Sequence, residues 1–214
     1  TKLNSLTIEN GGKVTLSNTL EVKDFYINTT MGAGKSGQVF GATNSNFSVQ
    51  GDAYIDITLG KNGDPNQWHA FTVPFPVDAM NGVYDLNNNK LTNEVNYAIM
   101  DYHGDIRAKV QYGWKKYRGS LNPGTFYLMT VDGDRTTYRF KKTDDGTLVA
   151  NNAMQLHEYA ANGDGTSTDA GWNGVGNMTL AYGKANINGI TGVQVLNPES
   201  YTYEVKQIAD IAFT

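Results

Sequence analysis

Phe47-Ser48-Val49-Gln50-Gly51-Asp52-Ala53-Tyr54-Ile55-Asp56-Ile57-Thr58-Leu59 alternates in character along its whole length. Phe47, Val49, Ala53, Ile55, Ile57 and Leu59 share one parity, and Ser48, Gln50, Asp52, Tyr54, Asp56 and Thr58 share the other. A period of two sends successive side chains to opposite faces of a strand. The stretch therefore predicts a long antiparallel strand with one face on a core and the other in water. Gly51 in its middle predicts a bulge or a bend.

Outward from this strand the same pattern recurs at 13–16, 20–27, 38–40, 68–74, 97–101, 125–131, 136–141, 178–185, 193–196 and 201–208. Between these runs stand Asn10-Gly11-Gly12, Asn62-Gly63-Asp64-Pro65, Asp132-Gly133-Asp134, Asp144-Asp145-Gly146 and Asn188-Gly189, residues that tolerate the backbone of tight hairpins. The expected class is all-β, an antiparallel sandwich in which jelly-roll-like and immunoglobulin-like orders are not distinguished. Two segments depart from the pattern. Residues 80–96 are polar and read as a loop. Over 105–119, Ile106, Val110, Trp114 and Tyr117 recur at helical spacing, so a short helix competes with an extended reading.

Composition agrees with one β-rich domain. Of 214 residues 39% are apolar and 18% charged, which excludes both a long-helix protein and a disordered one. The net charge of −4 supplies no field for nucleic acid or anionic lipid. Cysteine is absent, which removes disulfides and thiolate chemistry. No run approaches the ~20 apolar residues of a membrane span. With neither a starting Met nor a leader-like segment, the sequence reads as a mature or trimmed piece of a longer chain.

Residues 1–40 form a segment distinct from a sandwich domain over 41–214. Leu6-Thr7-Ile8, Val14-Thr15-Leu16 and Leu20-Glu21-Val22 are short apolar–polar–apolar triplets at near-regular spacing. Such triplets suit either the last rungs of a β-solenoid or edge strands recruited by the sandwich. At least three repeats normally bury a solenoid face, and about two are visible, which favours edge strands.

A succession of motifs then becomes familiar: Trp68-His69-Ala70-Phe71-Thr72-Val73-Pro74-Phe75, Tyr102-His103-Gly104-Asp105-Ile106-Arg107-Ala108, Gly113-Trp114-Lys115, Leu121-Asn122-Pro123-Gly124-Thr125-Phe126-Tyr127 and Gly171-Trp172-Asn173-Gly174-Val175-Gly176-Asn177-Met178-Thr179-Leu180. Their order, over just over half the chain, resembles a β-sandwich module of large exported surface proteins of Bacteroidetes, often placed after solenoid or other repeat regions. Met178 stands where that module usually has Pro, and His103 where Asp is usual. The resemblance implies a secreted or cell-surface location and carries no activity with it. Physically, Pro123 and Gly124 preset a turn, Gly174 and Gly176 permit a tight path, and the Asn173 amide suits a loop hydrogen bond. Trp68 and Trp172 are expected in the core.

Chemistry is sparse. His69, His103 and His157 lack metal-ligand spacing, and no nucleophile elbow occurs. Met31-Gly32-Ala33-Gly34-Lys35-Ser36 lacks the spacing of a phosphate loop. Asp56 and Asp101, with Arg107, are the carboxylates that could face a cleft for glycoside hydrolysis, though strand carboxylates on a wet face are usually just solvated. Asn162, Asp164, Thr166 and Asp169 place oxygens on near-alternate residues; a polar hairpin loop is the default reading and a calcium loop the alternative, which makes calcium the one cofactor the sequence suggests. Tyr112, Trp114 and Tyr117 cluster among Lys115, Lys116 and Arg118. Exposed rings stack on sugars, so if the chain binds a glycan these three, with Arg107 and Asp101 as orienting polar groups, are the expected ligand site; a core position for Trp114 is the other reading. The expected function is a non-catalytic exported module for adhesion, display or ligand binding, its partner a polysaccharide or another ligand on a host or bacterial surface. The rival is a glycan-active hydrolase or its carbohydrate-binding accessory domain.

Overall fold

The computed structural model describes residues 1–30, 35–59, 68–110, 112–131, 135–149, 156–157, 172–181, 192–196 and 202–207. Its first six strands are β1 (Lys2–Ile8), β2 (Lys13–Thr15), β3 (Leu20–Thr30), β4 (Gln38–Phe40), β5 (Phe47–Val49) and β6 (Ala53–Thr58). They pair in parallel: β1 on β3, β3 on both β5 and β6, and β2 on β4. Leu3 lies beside Val22 and Val22 beside Val49; Leu6, Phe25 and Ala53 form the next column, and Ile8, Ile27 and Ile55 the next. Like residues thus stack from rung to rung; Ala53 and Ile55 end their columns in the core, and Val49 packs against it.

The stretch 47–59 is therefore two strands rather than one. They part at Gln50–Asp52, the bend that Gly51 predicts. A Cβ on Gly51 would sit 2.5 Å from Asp24 Oδ1 and 2.9 Å from the Lys23 carbonyl, so only glycine lets this corner close on the rung below. The expected antiparallel pairing holds on one edge of β6 alone. On its other edge β6 is the third parallel rung, so the N-terminal segment and the sandwich share a strand.

Later elements are β7 (His69–Phe71), β8 (Val77–Asp78), β9 (Val83–Tyr84), β10 (Tyr97–Tyr102), helix α1 (Gly104–Val110), β11 (Trp114–Lys116), β12 (Ser120–Leu121), β13 (Tyr127–Val131), β14 (Thr137–Lys141), β15 (Gly192–Leu196) and β16 (Tyr203–Gln207). The first sheet runs β1-β3-β6-β14-β9, with β5 also on β3; the second runs β11-β10-β13-β7. The pairs β8 with β12 and β15 with β16 complete the described strands. The fold is all-β and sandwich-like. Residues 105–119 satisfy both competing readings in turn, a helix and then a strand, while 80–96 holds β9 within its turns. Residues 178–181 form no strand, and the remainder of the expected 178–185 run lies outside the described residues.

The two sheets meet through aromatic rings. Phe140 of β14 stacks on Phe71 of β7 at 5.4 Å, Phe71 packs on Tyr127 of β13 at 5.8 Å, and Tyr138 meets Tyr97 at 6.4 Å. Phe140, Tyr138, Tyr127, Ile99 and Met129 are almost wholly buried. Buried hydroxyls find partners: Tyr97 donates to the Ala79 carbonyl at 2.6 Å, and the Asn122 amide donates to Tyr127 at 3.0 Å.

Burial also sets a pH dependence. His69 is fully buried in β7, and desolvation lowers its pKa from the ordinary 6.5. The Lys141 ammonium, 2.7 Å from Asp52, is the main cause that holds this carboxyl below its ordinary 3.8. In both cases the unfolded chain binds the proton more readily, so stability falls as pH falls. The His69 contribution declines from about pH 6.5 downward, and the Asp52 contribution only below about pH 4. The melting temperature is expected to drop between pH 7 and 5, and His69→Leu to flatten that segment of the profile. An unchanged slope in the variant would show that burial of His69 is not its source.

Candidate functional site

The second sheet turns one face to the core and leaves the other half open. On β13, Tyr127, Met129 and Val131 point inward, and the alternate residues Leu128 and Thr130 outward. β10 pairs Met100 with Leu128, and β11 pairs Trp114 with Tyr102. Tyr102, Trp114 and Phe126 consequently form one continuous row. The Tyr102 and Trp114 rings are 5.1 Å apart and those of Trp114 and Phe126 5.6 Å. All three are half-buried, so each offers part of its ring to solvent. Tyr112 stands beside the row at 60% exposure, its hydroxyl donating to the Met100 sulfur at 3.9 Å.

A strap crosses the end of this row. Residues 172–177 run over the sheet, with Val175 bridged to Thr125 and the Gly176 amide donating to the Gly124 carbonyl at 2.8 Å. A Cβ on Gly176 would lie 2.5 Å from Thr72 Oγ1, and one on Gly174 3.1 Å from Phe126, so the two glycines set how closely the strap lies on the sheet. Asn173 holds the start of the strap, accepting from the His157 amide at 2.9 Å and donating to its carbonyl at 2.8 Å. Trp172 is 37% exposed. This corrects its expected core position: the strap lies on the outer face, so its tryptophan stays at the surface. Trp68 is likewise half-buried.

Of the five residues expected to bind ligand, Tyr112 and Trp114 come together on this face. Arg107 sits close by on α1, against the turn into β11; a Cβ on Gly113 would be 2.8 Å from the Arg107 Cβ. Asp101 and Tyr117 belong elsewhere. Asp101 is in register with Tyr127 and Lys115, which places it on the opposite face of β10 from Tyr102. There its Oδ2 lies 2.9 Å from His103 Nε2, while Oδ1 is buried without a hydrogen bond. Tyr117 packs its ring on Tyr127 at 5.4 Å and donates to the Ser120 carbonyl at 2.7 Å. Sequence proximity had grouped residues that the pleat separates. The pleat supplies Tyr102, Met100 and Phe126 in their place, through the pairing of β10 with β11 and β13.

The other candidates disperse. Asp56 is bound to Arg139 in the first sheet, at 2.7 and 2.8 Å, far in the pairing order from Asp101 and Arg107. Asn162, Asp164, Thr166 and Asp169 lie outside the described residues. Among the described residues no group of three or more His, Asp or Glu could hold a metal ion. A groove of about 590 Å³ is lined by Asp78, Arg118, Ser120, Thr143 and Asp145. The fork of Arg118 is already engaged by Glu94, with contacts of 2.9 to 3.1 Å, and no aromatic ring lines this groove.

Comparison of the chain with protein-family models, with curated proteins and with solved structures finds no match.

Proposed function

We propose that this chain is a non-catalytic exported module, part of a longer surface protein, that binds a glycan on the outer face of its second sheet. The observation that carries the reading is the contiguous row Tyr102–Trp114–Phe126, flanked by exposed Tyr112. Sugar rings present apolar C–H faces, and a row of partly exposed aromatic rings offers them stacking surface. Arg107 at the margin would orient a hydroxyl or carboxylate. A net charge of −4 disfavours nucleic acid as the ligand, and no helix among the described residues is long and apolar enough to cross a membrane. The separation of Asp56 from Asp101 disfavours the hydrolase reading, whose two carboxyl groups must flank one bond within about 5–10 Å.

Trp114→Ala is the discriminating substitution. The side chain is only partly solvated and its ring lies against Tyr102 and Phe126, so its removal is expected to cost about 2 kcal/mol, less than truncation of a fully buried ring. Retention in affinity gels containing neutral or acidic polysaccharides should be lost. A variant that keeps full retention would reject the site, and release of reducing sugar by the native chain would reject the non-catalytic reading.

A further inference from the structure

We propose that the outer edges of β1 and β2 accept one more parallel rung, of this chain's own pattern, carried on the polypeptide immediately ahead of Thr1. The inference is independent of the glycan reading.

No described strand pairs with the far side of β1 or of β2, and both open edges lie at the same end of the stack. At the other end both positions are taken: β14 pairs with β6, and the Val39 amide of β4 donates to the Leu180 carbonyl at 2.7 Å. The inward columns show what covering a rung does. Leu3 is 41% exposed, whereas its register partner Val22, covered by the next rung, is 0% exposed. Leu6, Val14 and Leu16 are only partly buried at the same end, whereas Phe25 and Val39, one rung further in, are fully buried; of the β1 column residues Ile8 alone is already covered, at 3% exposure. Among the described residues the open end is thus a partly apolar surface framed by two rows of backbone groups with no strand partner, the template a strand needs.

The register states what fits. From β1 to β3 the apolar residues repeat at a constant offset of 19, Leu3 to Val22, Leu6 to Phe25 and Ile8 to Ile27. A rung with apolar residues at the first, fourth and sixth of these positions would continue all three columns. Entry is also arranged. The Thr1 ammonium donates to the Thr19 carbonyl at 3.0 Å, so Thr1 lies beside the residue through which the chain enters the second rung. A preceding segment would join Thr1 as Ser17–Thr19 joins Leu20. A two-fold-related second copy fits less well, because the axis would set the paired edge strands antiparallel, against the parallel pairing of the stack. Lysines commonly protect such edges, but the Lys2 ammonium is drawn along the stack onto Glu21 at 2.9 Å.

The test fuses a second copy of residues 1–19 ahead of Thr1 in the full chain. Exchange of the β1 amide hydrogens is expected to slow by at least about tenfold, and the melting temperature to rise by several degrees. A matched fusion whose counterparts of Leu3, Leu6 and Ile8 are Ser should give neither effect. Equal protection in the two fusions, or none in either, would overturn the proposal. So would concentration-dependent dimerisation of the unfused chain that protects β1, which would assign the edge to a second copy.

Discussion

Phe140→Ala is expected to lower stability by about 3–5 kcal/mol, the largest effect of any single truncation considered. Phe140 is 1% exposed, and its ring lies on Phe71 of the facing sheet. Phe71 in turn packs on Tyr127, so removing the benzyl group opens the contact that joins β14 to β7 and β13. The cost has two parts, the lost transfer of an aromatic ring from water and a cavity that strands hydrogen-bonded on both edges cannot collapse to fill. Both edges of β14 are occupied, by β6 and by β9, so the backbone has little freedom to relax. Urea unfolding should show a lower midpoint with an unchanged slope. A loss below about 1 kcal/mol would mean that the two sheets do not depend on this contact.

That inter-sheet core was legible in the sequence only where parity is clean. Alternation in 136–141 places Tyr138 and Phe140 on an inner face, where they are found, whereas 125–131 is apolar at both parities, Phe126 and Leu128 beside Tyr127 and Met129, and its inner face is set by strand pairing. Pairing direction was not legible. An alternating strand looks the same whether its neighbour runs parallel or antiparallel, and β6 has one neighbour of each kind. The offset of 19 between β1 and β3 was available in Leu3, Leu6 and Ile8 against Val22, Phe25 and Ile27. It was obscured because the third rung follows at an offset of 27 to 28, Val22 to Val49 and Ile27 to Ile55.

The binding face was half legible, for a related reason. Tyr112, Trp114 and Tyr117 are neighbours in sequence, but an edge strand sends them to different sides. Tyr102 and Phe126 reach Trp114 only through the pairing of three strands, which is long-range information that no local pattern holds. Tyr117 has the composition of a sugar-stacking residue and the position of a core one.

Asp56 gives the last and most instructive case, and Asp56→Ala is expected to cost about 3 kcal/mol. Parity places Asp56 on the outer face of β6, where a solvated carboxylate is the natural expectation. It is 7% exposed instead. Arg139, directly across on β14, donates to both its oxygens, at 2.8 Å from Nε and 2.7 Å from Nη2. The guanidinium lies 5.3 Å from the Tyr26 ring and 5.4 Å from that of Tyr54, which are themselves stacked at 5.1 Å, and Asn88 accepts from Nη1 at 2.8 Å. Removing the carboxylate leaves a largely buried cation with one neutral acceptor and two ring faces. Breaking one side of such a pair costs about 3–5 kcal/mol, and the surviving Asn88 and tyrosine contacts put this site at the lower end. Replacing both partners by apolar groups removes the charge and its desolvation penalty together. The double variant Asp56→Val/Arg139→Met is therefore expected to be more stable than Asp56→Ala, with a coupling of about 2 kcal/mol or more between the sites in a double-mutant cycle. Added salt should change that coupling little, because the pair is shielded from solvent. Strict additivity of the single substitutions would mean that the bidentate contact contributes nothing to the sheet beyond its parts.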